Sequence, residues 1–206
     1  MKIKICGITN IEDALYCELK GVDALGFVFY EKSERFINYD NARDIIEKLD
    51  PFVLKVGVFV NKPEDEINEI SKYVKLNLVQ LHGDEEIINY TNVNLPILRG
   101  IRIKDQNDII KIYKNNNMNL LLDTYQNNMY GGTGKMFDYN LVPKDIWKKS
   151  IIAGGINSDT IDKILNMDEL PAGIDVSTGV ESSKGKKDND KIDRLIKKIN
   201  ERRNKC

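Results

Sequence analysis

Cys6 ends the apolar run "IKIC" and Asp123 ends the apolar run "LLLD". A thiolate is a base or a nucleophile, and a carboxyl group gives up or accepts a proton, so the two facing each other across a cleft can move protons in opposite directions. Other candidates sit at comparable places. His82 ends "LVQLH", and Arg35 lies in "KSERFI" after "ALGFVF". Gly154 and Gly155 end "SIIAGG", while Ser177, Thr178 and Gly179 follow "GIDV". Glycine exposes backbone N–H groups at close range, so these last two loops suit a phosphate.

Each residue also has a plain structural reading. A free cysteine is most often a small buried hydrophobe. Asp123 could cap a loop, and His82, the only histidine, could simply hydrogen-bond one. Cys17 and Cys206 read as structural or incidental. "GGTGK" (131–135) is not a phosphate-binding nucleotide loop, because Met129 and Met136 occupy the positions that would need Gly and Ser or Thr.

The elements that must position these residues show in the apolar patterning. Eight short runs recur: 3–6, 24–29, 54–60, 78–82, 97–103, 120–123, 150–155 and 172–177. Most are nearly continuous, as in parallel strands buried on both faces. Helical segments lie between most of them: 10–21, 38–51, 62–74, 105–116 and 158–166, with 188–203 closing the chain. Strict alternation leaves a closed barrel or an open doubly wound sheet, and eight units of roughly 25 residues favour a single (β/α)8 TIM barrel over residues 1–206. Active sites of such barrels lie at the C-terminal strand ends, where the candidates cluster. The Gly-rich stretch 122–147 reads as a long functional loop without a clear helix until its end.

Composition narrows the function classes. A net charge of -1 over 206 residues argues against nucleic acid as partner. No run of about 20 apolar residues predicts a membrane span. Three scattered cysteines and one histidine make neither a disulfide framework nor a metal cluster, so no metal is expected and the cytoplasm is the expected location.

The chain resembles the phosphoribosylanthranilate isomerases. The resemblance rests on "KICGIT" (4–9), "GVDALGFVF" (21–29), "KSERFI" (32–37), "VGVFVN" (56–61), "VQLHGDE" (79–85), "LLLDT" (120–124), "GGTGKMFDY" (131–139), "IIAGGI" (151–156) and "GIDVSTGVESSKGKKD" (173–188). These run almost end to end in family order. Two departures stand out: Glu34 where the family usually has Pro, and Tyr139 where it has Trp. Glu34 also changes the charge beside Arg35 and is a potential partner for it.

The resemblance implies an acid-base Amadori rearrangement in tryptophan biosynthesis. N-(5-phosphoribosyl)anthranilate becomes 1-(2-carboxyphenylamino)-1-deoxyribulose 5-phosphate, with Cys6 as base and Asp123 as acid. It further implies that Arg35 meets the anthranilate carboxylate, that His82 contacts substrate, and that Gly154, Gly155, Ser177, Thr178 and Gly179 hold the phosphate. No metal or organic cofactor is then required, the partner is a small phosphosugar-anthranilate, and the protein a monomer or homodimer. Rival readings are a decarboxylating indole-forming synthase, which needs a catalytic lysine at the strand tips; a metal-type epimerase, which needs two histidines; and a non-catalytic phosphate-ligand sensor.

Overall fold

Successive side chains of a strand point to opposite faces, and here that alternation separates two environments. Ile3 and Ile5, Leu25 and Phe27, Val79 and Leu81, Leu120 and Leu122, and Ile174 and Val176 all pack into one large core between strands and helices. The residues between them face the barrel axis, where Cys6, Val28 and Val58 form a separate small cluster and Leu98, Leu121 and Ala153 another. In this computed structural model, which describes residues 1–114, 118–124 and 136–203, the architecture is the expected closed barrel.

Among the described residues eight parallel strands close the ring: β1 (Lys2–Cys6), β2 (Ala24–Val28), β3 (Leu54–Phe59), β4 (Leu78–Leu81), β5 (Ile97–Ile103), β6 (Asn119–Thr124), β7 (Ile151–Ile152) and β8 (Gly173–Val176). β1 pairs with both β2 and β8, with Cys6 beside Gly26 and Ile5 beside Val176. β7 is shorter than its apolar run. Gly154 and Gly155 take φ of 87° and 67°, outside the extended region, and so end the strand early.

The helices are α1 (Ile11–Leu19), α2 (Tyr39–Ile46), α3 (Glu64–Val74), α4 (Ile109–Lys114), α5 (Lys144–Trp147), α6 (Asp162–Leu165) and α7 (Asn189–Arg203). The side chains of Asn10 and Asn38 accept the N–H groups of Asp13 and Asn41, each at 2.8 Å, and so start α1 and α2. Three expected helices are shorter than their patterns. α2 stops at Ile46, ahead of a turn before Pro51. Asp105 caps a tight turn at Gln106–Asp108, which precedes α4. The Asn157 side chain accepts the N–H groups of Asp159 and Thr160, holding that stretch as a turn and leaving α6 one turn long. The 126–134 loop, "GGTGK" and Cys206 lie outside the described residues. Cys17 is fully buried in the core, as expected of a structural thiol, and burial pushes it up to about 12.

After β8 the chain makes a tight turn and an antiparallel hairpin, β9 (Glu181–Ser183) and β10 (Lys186–Lys187). This hairpin is fastened across the tip of β1. The fully buried Lys187 Nζ donates to the Cys6 carbonyl at 2.6 Å and to Glu181 Oε1 at 2.8 Å. Glu181 also accepts from Arg35 Nε at 2.8 Å and Nη2 at 2.7 Å. Burial acts to raise the Glu181 pKa, but Arg35 and Lys187 outweigh it and hold the carboxyl below its usual range.

Stripping that charge leaves the buried Lys187 and the half-buried Arg35 without their anion. Glu181→Gln should therefore cost about 3–5 kcal/mol in urea unfolding at pH 7. A carboxyl of lowered native pKa contributes stability that is complete above its unfolded value of about 4.3 and vanishes as pH falls through the native one. The gap between wild type and variant should thus shrink on acidification. A constant gap between pH 7 and pH 3 would refute the linkage.

Candidate active site

The barrel's C-terminal mouth holds a cavity of about 200 Å³. The nine residues given a site role in the sequence reading all line it: Cys6, Arg35, His82, Asp123, Gly154, Gly155, Ser177, Thr178 and Gly179. They come from β1 and β6 and from the segments after β2, β4, β7 and β8.

Cys6 is nearly buried, against Val28, Val58 and the half-buried Tyr30. Gly26 makes room for it, since a Cβ there would lie 2.7 Å from the sulfur. Burial pushes the thiol pKa up, and the charge of Lys4 is the main influence opposing this. Asp175 adds to the rise and Lys187 to the opposition.

Asp123 is 4% exposed. Its Oδ1 accepts the Thr124 N–H at 2.7 Å, and its Oδ2 lies 3.2 Å from His82 Nε2. His82 Nδ1 in turn lies 3.1 Å from Gln80 Nε2. An amide nitrogen only donates, so Nδ1 accepts and Nε2 carries the proton that points at Asp123. His82 lines the cavity, but both its ring nitrogens are engaged by protein groups. Gly100 leaves space for the ring, as a Cβ there would fall 2.4 Å from Nδ1.

Arg35 does not pair with Glu34. Glu34 instead pairs with Lys184 at the surface, where both side chains are largely exposed. Arg35 turns inward over Gly7, whose Cβ would collide with its Cδ at 2.6 Å, and forks onto Glu181. Its Nη2 also reaches Thr178 Oγ1 at 3.2 Å. Burial works against the guanidinium's charge, yet Glu181 more than compensates and raises its pKa. None of these bonds uses Nη1.

The segments after β7 and β8 touch closely at the far side. A Cβ on Gly179 would land 1.9 Å from the Ile156 carbonyl oxygen, and one on Gly154 2.3 Å from Thr124 Oγ1. Ser177 Oγ is buried without a hydrogen-bond partner among the described residues, as fits a group facing a polar ligand. The described residues contain no cluster of three or more His, Cys, Asp or Glu suited to a metal, and no helix among them is long and apolar enough to cross a membrane.

Two groups at or under this mouth, Lys4 and Glu181, were not singled out by sequence reasoning. Gln80 and Asp175 stand at strand ends, where the strand-tip criterion finds them. Lys4 and Glu181 carry no such signal. Their roles depend on contacts across the barrel.

A family model for N-(5'-phosphoribosyl)anthranilate isomerase matches residues 3–198. The isomerase of Thermotoga petrophila is 42% identical over 201 residues, covering 96% of this chain and 97% of its own. The crystal structure of phosphoribosyl anthranilate isomerase from Thermotoga maritima superposes with a TM-score of 0.90 at 37% identity, covering 98% and 99% of the two chains. A structure of such an isomerase in complex with reduced 1-(o-carboxyphenylamino)-1-deoxyribulose 5-phosphate gives 0.87 at 37% identity over the same shares. With its thiol, carboxyl group and glycine loops gathered at one barrel mouth, the chain belongs to the N-(5'-phosphoribosyl)anthranilate isomerase family.

Proposed function

We propose that Cys6 and Asp123 carry the two proton transfers by which this family isomerises N-(5'-phosphoribosyl)anthranilate. The observation that supports this best is a thiol and a carboxyl group lining one cavity from strands three places apart around the ring. The two can address opposite sides of a sugar held between them.

Asp123 protonates the furanose ring oxygen. The C1–O bond breaks, and the anthranilate nitrogen supplies the electron pair for an iminium at C1. The carboxylate left behind is stabilised by the N–H groups of His82 and Thr124. The Cys6 thiolate then removes the proton from C2, giving an enolamine. Protonation at C1 and loss of the C2 hydroxyl proton give the ketone. The numbers of atoms and electrons in the sugar are unchanged, as an isomerisation requires.

Arg35 meets the anthranilate carboxylate with Nη1, while Glu181 holds the rest of the guanidinium rigid. A charged donor fixed in advance loses little entropy on binding. The backbone of Gly154, Gly155, Thr178 and Gly179, with the unpaired Ser177 hydroxyl, takes the phosphate.

The decisive assay supplies substrate generated in situ and follows loss of anthranilate-type fluorescence. Cys6→Ser and Asp123→Asn should each lower kcat by ~10²-fold or more with KM little changed, because proton transfer is felt in the transition state. Cys17→Ser should be nearly silent. An active Cys6→Ser enzyme would remove the base assignment.

The same thiol sets the pH dependence. Burial raises its pKa, so only a small fraction is thiolate near neutrality. In wild type log(kcat/KM) should therefore climb with pH at a slope of about one before other groups intervene. A Cys6→Ser enzyme that keeps this limb points to another base.

Arg35→Met should weaken a carboxylate-bearing product analogue by about 1.5–3 kcal/mol, the worth of a hydrogen bond to a charged group. Calorimetry giving equal affinities for wild type and variant would refute the carboxylate contact.

A further inference from the structure

Two residues before Cys6 on the same inward face of β1 lies Lys4, only 3% exposed. Its Nζ stands 2.9 Å from Oδ1 of the buried Asp175 on β8. Beyond this ion pair neither atom has a hydrogen-bond partner among the described residues. A pair so enclosed adds little stability compared with apolar packing of the same volume, which invites a functional reason for it.

Position supplies that reason. A Cβ built on Gly26 would lie 2.7 Å from Cys6 Sγ and 3.1 Å from Lys4 Nζ. Sulfur and ammonium thus flank one point and are no farther apart than the sum of those distances. The absent side chain at Gly26 keeps the space between them clear.

The charges around the sulfur come from every side. Lys4 and Asp175 lie beneath it, Lys187 and Glu181 belong to the hairpin over the β1 tip, and Arg35 comes from the segment after β2. Asp13 adds a third carboxylate, accepting the Lys187 N–H at 2.7 Å, so the three cations already have three carboxylates and it is the nearness of Lys4 to the sulfur that favours a thiolate there.

We propose that Lys4 is a positioning residue for the base: its ammonium, tethered by Asp175, stabilises the Cys6 thiolate. The proposal rests on the reading of Cys6 as the base. The thiol proton leaves to solvent, and Lys4 keeps its own charge throughout. Asp175 and the thiolate compete for one cation, so the two carboxylate and sulfur anions act against each other.

That competition gives the test a sign. Ionisation of Cys6 is followed directly, by the pH dependence of its iodoacetamide alkylation read by peptide mapping, without reference to turnover. Lys4→Met should shift the midpoint upward and slow alkylation of the folded protein at neutral pH by about tenfold or more. Asp175→Asn should shift it downward, because the rival anion is gone. A purely packing role predicts no such opposite shifts. An unchanged midpoint in Lys4→Met overturns the proposal. If that variant does not fold, Asp175→Asn decides alone, and an unchanged or higher midpoint there overturns it. An active Cys6→Ser enzyme would end the base reading separately, leaving the dependence of the wild-type thiol on Lys4 to be read from the alkylation data.

Discussion

Glu181 joins three parts of the chain that are far apart in sequence. One carboxylate takes Arg35 from the segment after β2 and Lys187 from the closing hairpin, and Lys187 passes the connection on to the carbonyl of Cys6. The position of the thiol, the direction of the arginine and the docking of the hairpin are therefore coupled. Two cations converging on one buried carboxylate also bring positive charge close to the sulfur. The same contact that closes the top of the barrel thus sets the electrostatics of the site.

The thiol and the carboxyl group proposed for proton transfer live in contrasting surroundings. Cys6 sits among Val28, Val58 and Tyr30, and only charge at its back favours its ionised form. Asp123 is surrounded by directional donors, the Thr124 N–H and the His82 ring, the latter fixed in one tautomer by Gln80. In the proposed roles, a base that must be anionic is thus given counter-charge, and an acid that becomes anionic after donating is given hydrogen bonds. Both are placed by the strand pleat: Lys4 and Cys6 share one parity on β1, and Leu121 and Asp123 share one on β6.

Much of this was legible in the sequence because buried parallel strands announce themselves as continuous apolar runs, and because the C-terminal strand ends of a barrel face its mouth. Cys6, His82 and Asp123 follow from those two facts. The Arg35–Glu181 contact was not legible. Its partners are 146 residues apart, and Glu34 was the nearer carboxylate in sequence. Lys4 was hidden for a different reason. A charge alternating with isoleucines in "KIKIC" reads as a solvent-facing position, whereas inside a closed barrel that face is the centre of the protein. Helix ends were misjudged at α6 because the Asn157 side chain competes for backbone N–H groups that the apolar spacing assigns to a helix.

The two departures from the family's usual residues resolve on structural grounds. Glu34 and Lys184 form an exposed pair, and neither side chain lines the cavity. Such a pair is screened by solvent and contributes little to the charge balance near the sulfur. Tyr139 lies in the outer core, with its ring 5.1 Å from Phe137 edge-on and 5.2 Å from Trp147. Burial raises its hydroxyl pKa, and the hydroxyl finds no partner among the described residues. A Trp there offers more apolar surface to the same aromatic group, so the cost of Tyr falls on packing after β6. Phe137 transmits that packing toward the site, since its N–H donates to Thr124 Oγ1 at 3.1 Å and Thr124 follows Asp123 directly. Of the two departures, only Tyr139 therefore has a mechanical route to Asp123, and it acts through the backbone rather than through charge.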